Sequence, residues 1–422
     1  SLRQRTSDLG HPHAVVIDQD QASSILWQRA ERDSRICLAP GAVFQSLHQQ
    51  DHAVEVRVAQ EGATRSFFGR WVVACDGASS AVRQFMGIAL PTVNLPQPWL
   101  VANITDRGED HCVRIRCASD RASVTVPLPG GRRRIEMMLD DAQAQCTLNG
   151  QMVREHLARV WPAVEHEGLI DFALMRFRAG MAERWRDGRV FLAGDAAHVT
   201  PPFASQGLAT GLRDAANLAF KLAGVIQGWL PETTLDTYEA ERKPHQRRMI
   251  ALALRLGWLM SPSSKLAGGA AHTGLGVLTR VPSLRGWFEM RGPDLRPTYD
   301  STLVGGGHMS GRYLPQPVVE VRGGRSVGLD ALLGPRMTWL QLGMGEKPGV
   351  QGDVPLSGGD VLLIEGIDFI DRNRTLQERY GAGALVLVRP DRIVHSHFGP
   401  SPAPRQDTRR MPWQSRLEPV SA

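Results

Sequence analysis

The sequence predicts a mixed α/β protein with α+β character, and three observations carry that expectation. Arg189-Val190-Phe191-Leu192-Ala193 is a short apolar run that ends at Gly194-Asp195, and a helix opens at Gly207 after a polar, Pro-containing crossing. A second strand–turn–helix pattern runs from Phe67 to Ala74 and closes with Cys75-Asp76-Gly77. Between these two lie short alternating segments, from Trp99 to Leu139, separated by Gly, Asp or Pro in the manner of an antiparallel sheet.

Composition bounds the remaining choices. At 422 residues with 42% hydrophobic content, the chain is long enough for two or three domains with full cores. The net charge of +6 comes from Arg far more than Lys and is weak evidence for an anionic small substrate or cofactor. No block of like charges and no basic stripe interleaved with aromatics argues for nucleic acid. The five cysteines (Cys37, Cys75, Cys112, Cys117 and Cys146) lack metal-like pairing and read as reduced thiols of a cytoplasmic protein. No signal peptide and no apolar run of membrane-spanning length is present.

Taken in order, Ser1 to Gly10 reads as a loop, and Val15-Val16-Ile17 leads through Asp18 into a helix carrying Ile25, Leu26 and Arg29. Ile36 to Leu38, Ala42 to Leu47 and Ala53 to Val58 read as strands, the last two forming a hairpin. Phe67 to Ala74 is one further strand. Asp76-Gly77 is a turn in which Gly permits the tight bend. Leu100 to Ile104, Cys112 to Cys117, Ser123 to Leu128 and Arg134 to Leu139 supply the antiparallel sheet. Val153 to Trp161 is a helix, and Ile170 to Phe177 a strand that returns the chain to the apolar run at Arg189.

From Leu208 the apolar positions Leu212, Ala215, Ala219, Leu222, Ala223 and Ile226 form a helical stripe. A carboxylate, Asp195, thus sits at a strand end, a few residues before a helix N-terminus with free N–H groups. That pair suits a polyhydroxyl chain beside an anionic or electron-rich ring edge. Pro231 to Pro244 reads as a helix with Tyr238 and Arg242 on one face, preferred as packing residues. A long helix follows, roughly Pro244 to Leu259. Ser261 to Gly276 reads as a loop and Ser283 to Met290 as a helical turn or two. Past Leu303 to Gly311, strands at Met337 to Leu342, Val361 to Ile364 and Leu385 to Val388 surround a helix at Asp371 to Tyr380. Residues from Gly399 are rich in Pro and Arg and read as disordered.

The stretch GDAAHVTPPFASQGLATGLRDAANLAFKL resembles the second flavin-binding motif of FAD-dependent aromatic-ring monooxygenases, the phenol and hydroxybenzoate hydroxylase class. Cys75-Asp76-Gly77-Ala78-Ser79-Ser80-Ala81-Val82-Arg83 resembles that family's Asp-Gly motif. The branch most resembled is that of 3-(3-hydroxyphenyl)propionate hydroxylases. The resemblance implies a Rossmann-like FAD-binding domain over 1–95 and 179–300, with an antiparallel-sheet substrate domain inserted at 96–178. It further implies a thioredoxin-like C-terminal domain at 301–398 and a tail at 399–422. The Gly-x-Gly-x-x-Gly unit with which the family opens is not found, so the nucleotide domain is expected to be N-terminally incomplete. No Cys lies beyond Cys146, which argues against a thiol-redox role for the C-terminal domain; packing or dimer contact is the role expected there.

The implied cofactor is FAD, with NAD(P)H as co-substrate, O2 and a small aromatic compound as reactants, and neither nucleic acid nor membrane as partner. Asp195, with Gly194, is expected at the ribityl hydroxyls, and the N–H groups of Gly207 and Leu208 at the pyrimidine edge. Asp76 and Gly77 are expected near the ribityl or phosphate groups. Gln19 matches by position a Gln that contacts the cofactor. Pro201 and Pro202 would shape the ring's surroundings and leave a carbonyl free, with Phe203 walling the cavity. No metal site is expected and no catalytic base is assigned; His198 is weighed as a base and preferred as a loop-fixing residue, and His111 is a remote candidate. Hydroxylation of a simple phenol, oxidation of a polycyclic or antibiotic substrate, and an inactive flavoprotein remnant with an interaction role all stay open on the sequence.

Overall fold

The computed structural model describes residues 7–12, 15–106, 108, 112–118, 121–145, 149–162, 168–262, 269, 296–307, 309–343 and 361–399. His111, Cys146, the expected turn at Ser283 to Met290, most of the loop at Ser261 to Gly276 and the tail beyond Gly399 lie outside these residues. Two compact units are found. One comprises Ser1–Arg5, Pro12–Leu218 and Tyr238–Leu295; the other comprises Thr6–His11, Ala219–Thr237 and Arg296–Ala422.

The first unit begins with α1 (Gln19–Glu31), which starts where it does because Asp18 caps it, accepting from the N–H groups of Asp20 and Gln21. The other carboxylate oxygen of Asp18 pairs with Arg132. Ile36 to Leu38 is not a strand. The hairpin appears as β1 (Val43–Gln49) and β2 (Val54–Gln60), extended by β3 (Ala63–Gly69) into a three-stranded antiparallel sheet.

The single strand expected from Phe67 to Ala74 is two strands in different sheets, β3 and β4 (Val72–Ala74). The break falls at Gly69-Arg70-Trp71, where a Cβ on Gly69 would lie 3.2 Å from the Trp71 carbonyl oxygen. After β4 comes α2 (Ala81–Phe85), capped by Ser80, whose Oγ accepts from Arg83 N at 2.9 Å.

The antiparallel segments form a six-stranded sheet, order β12-β9-β5-β8-β7-β6. Its strands are β5 (Thr92–Thr105), β6 (Arg114–Arg116), β7 (Ser123–Leu128), β8 (Arg132–Met138), β9 (Leu169–Met181) and β12 (His198–Val199). Alternation along β5 divides its side chains between two cores. Leu100, Ala102 and Ile104 pack with Ile135 and Met137 of β8 and with Val153 and Leu157. Trp99 joins Ala122, Met138 and Met260 on the other side, with Phe177 and Phe203 against them.

A short α3 (Asp141–Gln145) precedes α4 (Gly150–Ala158), the source of Val153 and Leu157. This helix starts earlier than expected because Asn149 Oδ1 accepts from Met152 N at 3.0 Å. A third small sheet has the order β10-β11-β4, with β10 (Arg186–Asp187) and β11 (Val190–Leu192). In it β11 runs parallel to β4, with Val190 opposite Val72 and Leu192 opposite Ala74.

Two long helices complete the series. α5 (Gly207–Ile226) contributes its residues up to Leu218 to the first unit, and α6 (Thr237–Met260) lies in it from Tyr238 on. The apolar stripe of α5 is not its buried face. Leu208, Leu212 and Ile226 are exposed, whereas Thr210, Asp214 and Asn217 are fully buried. The reason is chemical rather than periodic: α6 presents Glu241 and Arg242 to that face, so polar groups find partners there. The helix break expected at Pro244 is absent, and α6 runs through it.

In the second unit β13 (Val318–Val321) pairs with β14 (Arg325–Gly328) and β17 (Phe369–Ile370). A second sheet has the order β16-β15-β18-β19, formed by β15 (Thr338–Gln341), β16 (Val361–Ile364), β18 (Leu385–Val388) and β19 (Val394–Phe398). The helix expected from Asp371 is shorter, α7 (Thr375–Tyr380). Leu340, Phe369, Leu376, Tyr380 and Val386 belong to its main core.

Candidate functional site

The parallel pairing of β4 and β11 decides where the two motif turns meet. Because Leu192 lies opposite Ala74, the residues that follow each strand leave the sheet side by side, and Ala193 N donates to the Ala74 carbonyl at 3.0 Å. The Asp76-Gly77 and Gly194-Asp195 turns therefore share the carboxyl edge of one small sheet, the edge at which open α/β sheets bind ligands.

The two turns are also tied by a side chain that sequence reasoning quoted without assigning it a role. Arg83, 5% exposed, donates from Nη2 to the Ala78 carbonyl at 3.0 Å and from Nη1 to the Ala196 carbonyl at 2.9 Å. Burial pushes its pKa down. Asp76 is exposed, and its Oδ2 accepts from Val82 N at 3.0 Å, so one oxygen orders the start of α2 while the other stays open to a ligand. Gly77 has φ +82°, which an L side chain adopts only at a cost.

Asp195 is exposed, and its carboxylate has no hydrogen-bond partner among the described residues. Beneath it, Gly194 takes φ +57°. Its N–H donates to Asp214 Oδ2 at 3.1 Å. The same oxygen accepts from His198 Nε2 at 2.6 Å, and Oδ1 accepts from Arg242 Nε at 2.8 Å. A carboxylate only accepts, so the His198 proton sits on Nε2. Burial would raise the Asp214 pKa, but the His198 hydrogen bond and the Arg242 charge bring it below the ordinary carboxylate value. His198 is thus a loop-fixing residue, stacked at 5.1 Å from Trp185. Tyr238 and Arg242 are packing residues: the Tyr238 hydroxyl donates to the Leu192 carbonyl at 2.9 Å, and Arg242 Nη2 to the Thr210 carbonyl at 3.2 Å.

The first N–H groups of α5 have no partner within the helix. A Cβ on Gly207 would meet nothing within 4 Å, and Leu208 is 48% exposed, so this helix start opens onto free space. Before it, Ser205 N–H donates to the Pro202 carbonyl at 2.7 Å. The expectation of a free carbonyl thus fails for Pro202, because the chain must turn through Ser205 at φ +49° to enter α5. Phe203 stands 5.6 Å from Trp99 and 5.8 Å from Phe177, joining the loop to β5 and β9 in an aromatic trio. Gln19 is exposed on the first turn of α1, and among the described residues its side chain makes no hydrogen bond that would reveal a role.

These observations permit a test of fit for a flavin nucleotide. An unpartnered exposed carboxylate, two glycine turns with no room taken by side chains, and a helix start with unbonded N–H groups suit hydroxyls and an electron-rich ring edge. The residues present fit the ribityl–isoalloxazine part of FAD. Among the described residues no group of His, Cys, Asp and Glu could hold a metal ion, and no helix is long and apolar enough to cross a membrane.

Comparison with known proteins agrees with this chemistry. The family described as FAD binding domain matches residues 2–253. The 3-(3-hydroxy-phenyl)propionate/3-hydroxycinnamic acid hydroxylase of Burkholderia cenocepacia is 30% identical over 432 aligned positions, covering 93% of this chain and 78% of that protein. Its Escherichia coli counterpart is 29% identical, covering 93% and 76%. Among solved structures, the anhydrotetracycline hydroxylase OxyS of Streptomyces rimosus superposes with a TM-score of 0.76 at 25% identity, covering 96% of this chain and 80% of that one. Aklavinone-11 hydroxylase, solved with FAD and aklavinone, shares the fold with a TM-score of 0.73 at 23% identity, covering 92% and 75%. The chain belongs to the FAD binding domain family, as one of its FAD-dependent aromatic-ring monooxygenases.

Proposed function

We propose that this enzyme hydroxylates a single-ring phenol bearing a short acid side chain, of the 3-hydroxyphenylpropionate type, using NAD(P)H and O2. The observation that carries the reading is the shared edge of β4 and β11, where the open carboxylate of Asp195 stands before the bare helix start at Gly207. The relatives named for that substrate support the choice of phenol. FAD held at this edge would supply the chemistry of O2 activation and transfer of one oxygen atom to the ring, with NAD(P)H as the reductant.

The residues of the chain bind and orient. Asp195 accepts hydrogen bonds from ribityl hydroxyls, and Gly194 lets the backbone approach them. Gly207 and Leu208 donate N–H groups to the pyrimidine edge and stabilise negative charge there. Asp76, through its open oxygen, and Gly77 hold the ribityl or phosphate portion, and Gln19 contributes a cofactor contact by its positional match to the family. Pro202 and Phe203 wall the ring, with Trp99 and Phe177 keeping water away. No side chain is assigned as a catalytic base. In this reading residues 1–95 and 179–300 form the FAD-binding domain and 96–178 the substrate domain, with 301–398 a thioredoxin-like packing or dimerisation domain.

A second reading, oxidation of a polycyclic substrate, is favoured by the likeness to OxyS. One experiment separates them. The purified chain is titrated with FAD and followed by its visible spectrum, then NAD(P)H oxidation and hydroxylated product are measured with hydroxyphenyl acids and with anhydrotetracycline-like polycycles. Stimulation and product with the acids alone supports the phenol. Product from the polycycles alone transfers the assignment to them, and absence of flavin binding even when a Gly-x-Gly-x-x-Gly βαβ segment is supplied sinks both.

A further inference from the structure

We propose that Asp214, which faces away from the ligand edge, is the positioning residue that sets the Gly194-Asp195 turn for flavin. This rests on the flavin reading of that turn. The residue lies seven positions after the first residue of α5, between Leu212 and Ala215 of the apolar stripe, and the sequence assigns it no role. Its side chain is instead completely buried, as are those of His198 and Arg242.

A buried carboxylate is tolerated only when its lone pairs are filled. Asp214 fills them with the Gly194 amide, the His198 imidazole and the Arg242 guanidinium. The first two donors bracket Asp195. Gly194 precedes it, His198 follows three positions later, and both end on the same carboxylate oxygen. The intervening Asp195 then projects outward with its own carboxylate free.

Close packing restricts the turn from the helix side as well. A Cβ on Gly211, one turn before Asp214, would sit 3.6 Å from the Gly194 Cα, so the turn rests directly on α5. Arg242 completes the frame by holding the far oxygen of Asp214 while its Nη2 bonds the Thr210 carbonyl. A side chain that never meets the flavin thereby fixes the backbone amide under the residue that does. An Asn at this position keeps the shape, but its amide donor opposes either Arg242 on one side or both the Gly194 amide and His198 on the other, and the loss of the negative charge weakens whichever bonds remain.

The test is Asp214→Asn with two readouts. Hydrogen exchange of the Gly194 amide should be at least tenfold faster than in the wild type, and the dissociation constant for FAD should rise at least tenfold. Arg242→Lys, which keeps the charge and loses the fork, should move both in the same direction by less. Leu157→Ala, which removes core packing beneath the six-stranded sheet, controls for lost stability and should leave both readouts unchanged. If Gly194 exchange in Asp214→Asn stays within twofold of wild type, or if Leu157→Ala shifts the FAD constant as much, the assignment is overturned. A wild-type chain that binds no FAD even when a Gly-x-Gly-x-x-Gly βαβ segment is supplied would refute the flavin reading instead, while the amide measurement still decides whether Asp214 sets the turn.

Discussion

Arg83 Nη1 bonds the carbonyl oxygen of Ala196 at 2.9 Å, joining the start of α2 to the turn that follows β11. With its second bond, to Ala78, the guanidinium locks the two motif turns at a fixed spacing. Arg83→Met removes two charge-assisted bonds and strands two carbonyl groups. Each such bond is worth roughly 1.5–3 kcal/mol. The expected outcome is a loss of about 2–4 kcal/mol in unfolding free energy and a tenfold or greater rise in the FAD dissociation constant. Denaturant unfolding and flavin fluorescence titration measure the two.

Asp195→Ala should separate affinity from stability. The carboxylate is exposed and bonds nothing in the described chain, so its removal should change stability by less than about 0.5 kcal/mol. Flavin affinity should nevertheless fall by about tenfold to a hundredfold, since charged hydrogen bonds to the ligand are lost. An unaltered titration would remove Asp195 from the binding residues.

His245 gives the protein a pH dependence. It is 1% exposed, and burial, with Arg242, Arg213 and Arg248 around it and Asp214 opposing them, lowers its pKa to about 3. In the unfolded chain it takes up a proton below about 6.5. Between these values the unfolded state holds more protons, so stability falls as the pH drops from about 6.5 toward 3. At pH 5 this group should cost about 2 kcal/mol relative to neutral pH. Melting curves of wild type and His245→Phe at pH 5 and pH 7 should show a smaller difference for the variant.

The aromatic trio should respond to a change of volume on either side. Phe203→Ala opens the wall and should cost about 2 kcal/mol, because the ring is only partly buried. In the phenol reading it should also relax discrimination toward bulkier rings, seen as a changed ratio of kcat/KM values. Gly257→Ala acts oppositely: its Cβ would stand 2.5 Å from Phe203 Cδ2 and push the ring off its place. A loss of about 1–3 kcal/mol by denaturant unfolding is expected from such overpacking.

The elements most legible in the sequence were those bounded by chemistry as well as periodicity. Asp18 marks a helix start because it caps one, and the strand–turn–helix pattern through Asp76-Gly77 ends on a helix capped by Ser80, whereas the Asn149 cap went unread and α4 starts at Gly150 rather than Val153. The turns at Asp76-Gly77 and Gly194-Asp195 were readable because glycine is needed at positive φ. Periodicity alone misled at α5, where the stripe led by Leu208 and Leu212 is exposed and the face with Thr210, Asp214 and Asn217 is buried. A polar residue in a sequence does not announce a partner thirty positions away. Pro244 misled for a related reason. It lies on the exposed face of α6, and so does Ala240, whose carbonyl loses its usual donor, so water can satisfy that group and the helix continues. Strands β13, β14 and β17 are short, and pairing rather than their own pattern defines them.

The parallel contact of Val72 with Val190 has a consequence for the order of events in a cell. The whole six-stranded sheet apart from β12 is encoded between those two residues, and Arg242 follows later still. During synthesis β4 and its Asp76 turn emerge and wait, without the strand they pair with, until β11 has left the ribosome. The edge that carries both turns is thus absent from every shorter nascent chain, and Asp214 and Arg242, which fix the second turn, are translated after both of its strands. The edge is accordingly ready for a cofactor only once the chain has grown past Arg242, and until then the growing chain depends on its surroundings to keep that waiting strand from other company.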